Sequence, residues 1–530
     1  MITSIGKYKN ILSIAAFSII YLYTLDNYWK PVWDSAIYIS LGKSIAAGSG
    51  YYYMGLPHAK YPFIFPLMLS PLISLFDLNF LLMRFLIIVL TISSIYLSYT
   101  LFKKFADERM AFFIMLLTGF SSTLLHGSTW ILSEIPYMLF SLYTLYFMAK
   151  YREEKNYFTR TGILSSIFLL TAIFTRMMGI TLFIAFLCYF LFNKDIKNNI
   201  KKVALVGLIA SIPLCFWFYR SHLINKNIPF QPEYRGVLSY EKEFFLKVPD
   251  DINSESISFK DLTQKIKSNL RIYSQNISHI MVKKVPFEKS RLFIMLLSLY
   301  GFCWCFVKRR TVIEYYLSFY LIACVIWWFN QHPQRFLAPV IPFLFYYFLI
   351  GIKRSIELFQ KMIVKVETKR VEMVKGIILG LLVLSLILVN FSFNPRVLKR
   401  ERRKQFHPPT LVSEFFSAIK WINEHTSQDS IIMSSRAPWL IMFTDRMTLT
   451  WPLFESLPNV ITSILQNRVD YIVVSNIHQE TYRLLHSFVE KCPKQFTQVF
   501  LNNKTSIYKI KRENFSSLVR EMDKTFSAGK

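Results

Sequence analysis

Eleven apolar runs, each near the length of a bilayer-crossing helix, dominate this 530-residue chain. The hydrocarbon core of a membrane asks for about 20 mostly apolar residues per helix. Runs of that kind fall at 9–25, 79–102, 109–127, 134–150, 161–176, 177–193, 203–219, 291–307, 312–329, 336–352 and 376–392. They explain a composition that is 53% hydrophobic and 17% aromatic, with 49 phenylalanines. A water-soluble chain of this size would expose too much apolar surface to stay dispersed. Lys7 and Lys9 precede the first run, as in a signal peptide, but no small-x-small cleavage pattern follows. The run therefore reads as an uncleaved first helix.

The balance of 62 Lys+Arg against 33 Asp+Glu gives a formal charge of +29. These cations sit in short clusters between apolar runs: Lys103/Lys104/Arg109, Lys150/Arg152/Lys155/Arg160, Lys194/Lys197/Lys201/Lys202, Lys308/Arg309/Arg310, and Lys353/Arg354 through Lys375. That placement fits the positive charge of cytoplasmic loops, and it argues against a nucleic-acid face. With a cytoplasmic N-terminus every one of these clusters falls on the same side. An odd number of spans then puts the tail outside. Five of the six cysteines lie in apolar runs and only Cys492 is left in the tail, so no disulfide framework is available there. Cys303-x-Cys305 reads as packing rather than a metal site.

Three segments then face outward. Residues 26–78 hold an amphipathic stretch, Ser35–Ala47, and a Pro-rich apolar stretch, Tyr61–Phe76; both are expected to lie along the membrane interface. Residues 220–290 are polar and mixed in charge. The tail begins near Phe393 with the basic run Lys399–Lys404 and a periodic helix at 411–425. Strand patterns at Ser430–Ser434, Tyr471–Ser475 and near 497–511, with helical patterns at 454–467 and 479–490, predict a small α/β domain. The fold class expected is thus mainly α and polytopic, with a transmembrane module at 1–392 and an extracytoplasmic α/β domain at 393–530.

Two acids stand at outer loop ends. Asp34, in Trp33-Asp34-Ser35, reads either as a partly desolvated general base or as the N-cap of a helix starting at Ser35. Composition alone favours the cap. Glu134, in Ser133-Glu134-Ile135-Pro136, reads as a first-turn acid favoured by the helix dipole or as a functional carboxylate in an apolar setting. Lys60 and Arg335 are cations suited to a lipid phosphate, the arginine through its fork geometry; the competing reading is snorkelling to headgroups. Arg176 and Arg220 are weaker candidates of the same kind. Asp250-Asp251 reads as a solvated loop rather than a metal pair.

The order of these motifs resembles the GT-C membrane glycosyltransferases, and more narrowly the family of protein O-mannosyltransferases and the lipid A aminoarabinose transferase. The segments that carry the likeness are Trp33-Asp34-Ser35-Ala36-Ile37-Tyr38 with Gly42, Ala46 and Gly50-Tyr51, Lys60-Tyr61-Pro62, Leu132-Ser133-Glu134-Ile135-Pro136, Thr175-Arg176-Met177-Met178-Gly179, and His332-Pro333-Gln334-Arg335-Phe336-Leu337-Ala338-Pro339. In the tail, the Ala418–Ile422 helix and the Tyr471–Val474 strand are similar to the extracytoplasmic domain of bacterial members. Two departures stand out. Ser35 replaces a second acid, and Glu134 replaces a commoner Asp.

The resemblance implies an inverting transferase using a polyprenyl-phosphate-linked sugar, embedded in a bacterial cytoplasmic membrane. In that reading Asp34 is the catalytic base and Glu134 its helper, while Lys60, Arg335, Arg176 and Arg220 attend the donor phosphate. The acceptor would be a lipid, glycan or protein. Membrane lipids are the other expected partner, and nucleic acid is not one. No cofactor is implied, because a monophosphate needs less neutralisation than a diphosphate, and a divalent cation is left open. The competing function is a transporter or flippase for a lipid-linked glycan precursor. Such proteins show internal repeats and broken helices at mid-membrane depth, and no such pattern stands out here.

Overall fold

A computed structural model of the chain describes residues 2–192, 196–227, 240–248, 254–282, 288–327, 332–363, 369–391, 395, 398–399, 403, 409–451, 457–477 and 479–514. Its first half runs α1 (Ile2–Leu22), α2 (Trp33–Ala46), a hairpin of β1 (Tyr52–Tyr53) and β2 (Leu56–Pro57), α3 (Ile64–Phe76), α4 (Phe80–Phe102), α5 (Glu108–Gly119), α6 (Ser122–Gly127), α7 (Glu134–Glu153), α8 (Arg160–Thr175), α9 (Ile180–Leu191) and α10 (Ile196–Asn227). There follow α11 (Tyr240–Phe245), α12 (Phe259–Met281), α13 (Glu288–Lys308), α14 (Val312–Ile326), α15 (Pro333–Leu337), α16 (Ile341–Ile363) and α17 (Lys369–Phe391). The tail holds α18 (Thr410–His425), β3 (Ile432–Ser434), α19 (Ala437–Thr444), β4 (Thr448–Thr450), α20 (Leu457–Gln466), β5 (Tyr471–Ser475), α21 (Gln479–Lys491), β6 (Phe496–Asn502) and β7 (Thr505–Ile510).

Among the described residues, every apolar run is mainly helical. By length and composition, four helices in the described residues could cross a membrane: 80–102, 199–227, 291–308 and 333–359. The chain is a multi-pass membrane protein. Several of the other runs are shorter because polar groups break them. The run 109–127 divides at Phe120-Ser121, where Ser121 turns extended and its hydroxyl accepts from the Leu124 amide, starting α6 afresh. The Gly119 carbonyl orphaned by that break accepts a hydrogen bond from the Tyr21 hydroxyl of α1. Between α8 and α9 the chain extends at Arg176, which ends one helix before a short 3₁₀ turn begins the next. Elsewhere two helices nearly touch: a Cβ on Gly301 of α13 would stand 2.0 Å from the Tyr347 carbonyl of α16, and one on Gly351 would stand 2.0 Å from that of Leu297. Only glycine permits that backbone contact.

Charge separates along the bundle. At one end Lys9 pairs with Glu108 (3.1 Å), Lys104 with Glu153 (3.4 Å) and Lys353 with Asp107 (3.6 Å), and Arg309 donates to the Phe105 carbonyl. The N-terminal helix and four of the basic clusters therefore share that end. The acids Asp34 and Glu134 lie at the other.

The tail folds as a mixed sheet of order β4-β3-β5-β7-β6. β3 pairs in parallel with both β4 and β5, and β7 runs antiparallel to β5 and β6. Asn503 turns the β6–β7 hairpin with a left-handed φ of 51°. α19 and β4 carry no strong sequence pattern and appear only in the structure. The expected interfacial role of Ser35–Ala47 is not what is found. Ser35 through Gly42 are buried, because α3 covers one side of α2 and α19 of the tail covers another. Asp250-Asp251 and the 392/393 boundary lie outside the described residues, as does most of the basic run 399–404.

Candidate active site

The site forms where the starts of α2, α7 and α15 meet the end of α8. Asp34 occupies the first turn of α2, but it is not the cap that composition favours. The N-cap is Val32, with no side-chain bond to the helix. The Asp34 carboxylate is instead drawn away from its own helix: Oδ1 accepts from the Tyr61 hydroxyl (2.9 Å) and Oδ2 from Nη2 of Arg335 (2.8 Å). A charged guanidinium and a phenol offer more than a backbone amide does, so the long-range partners win.

Arg335 joins the two acids. Its Nη2 lies 2.7 Å from Oε1 of Glu134 as well as 2.8 Å from Asp34, and its Nε donates to the same Glu134 oxygen at 2.8 Å. The two carboxylates are thus no further apart than the sum of two hydrogen bonds, although 100 residues separate them. Arg176 completes the cluster. Its Nη1 reaches Glu134 Oε1 (3.0 Å) and the Ser133 hydroxyl (3.0 Å), and its guanidinium lies over the Phe336 ring (4.8 Å). Ser133 in turn sits 2.9 Å from the Tyr38 hydroxyl, which returns the network to α2. Glu134 is 4% exposed. Its Oε1 takes all of these bonds, and its Oε2 is buried without a protein hydrogen bond.

Lys60 lies one residue from Tyr61 and pairs with Glu243 of α11; both side chains are nearly buried. Its ammonium is 5.6 Å from the Tyr61 ring and 5.7 Å from that of Tyr240. Arg220 stands a step further out. It donates to the His58 carbonyl (2.9 Å) and so holds the loop that presents Lys60, without touching the acids. Three residues escaped the sequence reading. Tyr61 is visible in hindsight beside Lys60; Glu243 lies on the short helix α11, within a polar segment with no local signal. His58 is buried, and its Nε2 accepts from the Tyr61 amide (2.9 Å), which leaves the proton on Nδ1. Burial first, and then the charges of Lys60 and Arg220, push its imidazole down to about 3, so it is neutral at physiological pH.

Burial alone would raise the Asp34 carboxyl. Arg335's charge and hydrogen bond, with the Tyr61 hydroxyl and Lys60, outweigh it and hold the group below the usual carboxylate range. Among the described residues no group of three or more His, Cys, Asp or Glu side chains could hold a metal ion. The two site acids are bridged by arginine instead.

Residues 60–217 match the family model of dolichyl-phosphate-mannose-protein mannosyltransferases. A search of curated proteins finds no match. Among solved structures, the chain is similar to ArnT from Cupriavidus metallidurans bound to undecaprenyl phosphate, with a TM-score of 0.60 at 12% identity over 94% of this chain and 97% of that one. The apo form of that protein gives 0.61 at 12% identity, over 96% and 99%. AglB from Archaeoglobus fulgidus, in complex with an inhibitory peptide and a dolichol-phosphate, gives 0.56 at 13% identity, over 96% of this chain and 75% of that one.

Proposed function

We propose that this chain, whose fold is that of the GT-C membrane glycosyltransferases, moves a sugar from a polyprenyl-phosphate donor to an acceptor hydroxyl or phosphate, with inversion. The observation that carries the reading is the Arg335 guanidinium shared between Asp34 and Glu134. It brings a base, a second carboxylate and a phosphate-binding cation within hydrogen-bond reach of one another.

In the chemistry proposed, the acceptor oxygen attacks the anomeric carbon from the face opposite the phosphate. The C1–O bond to the phosphate breaks, and its electron pair leaves with the polyprenyl phosphate. The acceptor proton passes to Asp34. Glu134 Oε2, buried and without a protein partner, is suited to receive a hydrogen bond from the incoming acceptor. Arg335 and Lys60 hold the leaving phosphate, where negative charge develops. Both cations are already engaged by carboxylates, so the donor phosphate competes for them. As it draws Arg335 away from Asp34, the influence that depresses the Asp34 carboxyl weakens, and the group becomes the stronger base the transfer needs.

The membrane setting follows the same reading. Eleven crossings in a bacterial cytoplasmic membrane, with the basic end of the bundle inside, put the acids and the sheet unit of 393–530 on the outer face. Nucleotide sugars are not available there, which is why a lipid-borne sugar is the donor class. The test is Asp34→Asn in purified membranes supplied with radiolabelled polyprenyl-phosphate sugars. Wild-type membranes should transfer label, and the variant should lose about 10²–10⁴ of that rate. Full transfer by the variant would remove Asp34 as base. Absence of transfer by the wild type with every donor, accompanied by movement of the lipid-linked sugar across the bilayer, would make the chain a flippase.

A further inference from the structure

The sheet unit at the C-terminus grips both ends of α2, the helix that carries Asp34. Ahead of the helix, Trp29 is 3% exposed and sits among aromatic rings of the tail. Its ring centroid is 5.5 Å from Trp439 and 5.5 Å from Phe443 of α19, and 6.5 Å from Phe416 of α18. At the far end, in the last turn, the Lys43 ammonium donates to the Met442 carbonyl (3.0 Å) and to Oδ1 of Asp445 (2.5 Å). Asp445 closes α19 in a left-handed conformation (φ 56°). One short helix of the tail, Ala437–Thr444, thus meets α2 at its entry and at its exit.

The grip at the entry reaches the base itself. The Trp29 indole Nε1–H donates to the Ser35 hydroxyl (3.0 Å), and Ser35 adjoins Asp34 in the first turn. The N-cap Val32 contributes no side-chain bond to that turn. The carboxylate of Asp34 is spent on Tyr61 and Arg335, so it does not anchor its own backbone either. Trp29 therefore ties the first turn of α2 to the tail, with Phe80 of α4 (6.3 Å) as a further ring neighbour.

We infer that the C-terminal unit acts as a brace for transfer, with Trp29 as a positioning residue that fixes the first turn of α2 and hence the aim of Asp34. The inference rests on the reading of Asp34 as base. It gives the tail a role inside the reaction, distinct from capture of an acceptor. A displacement of about 1 Å at a reacting group costs on the order of 10²-fold in rate, so a hydrogen bond one residue from the base is enough to matter.

The test uses the full chain in detergent or proteoliposomes. Trp29→Phe keeps an aromatic ring in the cluster and deletes only the N–H; Ser35→Ala deletes its acceptor. Each should lower kcat by about tenfold or more with the donor and acceptor KM unchanged, and the double variant should lose no more than either single one. Lys43→Ala, at the opposite end, should add to Trp29→Phe. Hydrogen exchange supplies a readout that needs no substrate: amides of 33–46 should exchange faster in Trp29→Phe, while the rest of the bundle is unchanged. Wild-type kcat in both single variants, or unchanged exchange over 33–46, would overturn the brace. A raised acceptor KM at constant kcat would do so too, by making the tail an acceptor-binding surface. If the wild type transfers no sugar, the transfer reading has failed, and the exchange measurement still decides the brace.

Discussion

Replacing Arg335 by lysine asks how much the transfer depends on a fork rather than on a charge. Arg335 makes three close contacts to carboxylate oxygens: Nε to Glu134 at 2.8 Å, and Nη2 to Glu134 at 2.7 Å and to Asp34 at 2.8 Å. A lysine keeps the positive charge and so spares the two acids from facing each other uncompensated. It cannot span both, because an ammonium is a single point on a shorter stem. At least one charge-assisted hydrogen bond is lost, each worth about 1.5–3 kcal/mol. If Arg335 also holds the leaving phosphate, the loss falls on the transition state, where removing one such donor costs about 10²–10³ in kcat. Arg335→Lys should therefore lower kcat by about two to three orders of magnitude while the donor KM moves little. The assay is initial-rate transfer of a radiolabelled sugar from its polyprenyl phosphate, with thermal unfolding in detergent as the check on folding. A kcat within about threefold of wild type would show that Arg335 does not act on the leaving group. A large rise in KM at constant kcat would show that it only binds.

Asp34 titrates below the usual carboxylate value of about 3.9, so its charged form, and the stability the Arg335 pair contributes, is present above that value and lost only as pH falls through the depressed one. Transfer should show no acid limb from Asp34 between about pH 5 and 8 in the wild type, and Arg335→Gln should bring a limb upward into reach, because burial then outweighs what remains. A pH–rate profile left unmoved by that substitution would contradict the assignment. If Lys60 holds the donor phosphate, Glu243→Gln removes the carboxylate that competes for it. The donor KM should fall about tenfold, since a charge-assisted contact of about 1.5 kcal/mol corresponds to that factor. A KM that stays put would mean the donor does not use Lys60.

The helical runs were legible because a bilayer sets their length and selects apolar residues along it. Their ends were less so. The break at Phe120-Ser121 depends on one serine turning its hydroxyl to an amide, which a hydropathy window averages away. The clustering of Asp34, Glu134, Arg176 and Arg335 was legible through motif order, since each begins or ends a helix at one end of the bundle. The Glu243 partner was not, because 183 residues separate it from Lys60 and its short helix shows no apolar periodicity. Asp34 shows the limit of local reasoning most plainly. Its position in the chain favours a cap, and the arginine 301 residues away decides otherwise.

Two acids and two guanidiniums form the Asp34–Arg335–Glu134–Arg176 cluster, and Lys60 and Glu243 form a second matched pair beside it. Formally, these six groups are electroneutral at rest. Such a site exerts little standing pull on inorganic phosphate in the surrounding water, since long-range attraction needs a net field. Under the transfer proposed, selection for the donor falls to its lipid tail, which would keep the phosphate at the bilayer edge long enough to trade places with a carboxylate. The same balance works in reverse after transfer. In that transfer, departure of the spent carrier phosphate would let the acids reclaim their cations, and the site would reset with no counter-ion taken from solution.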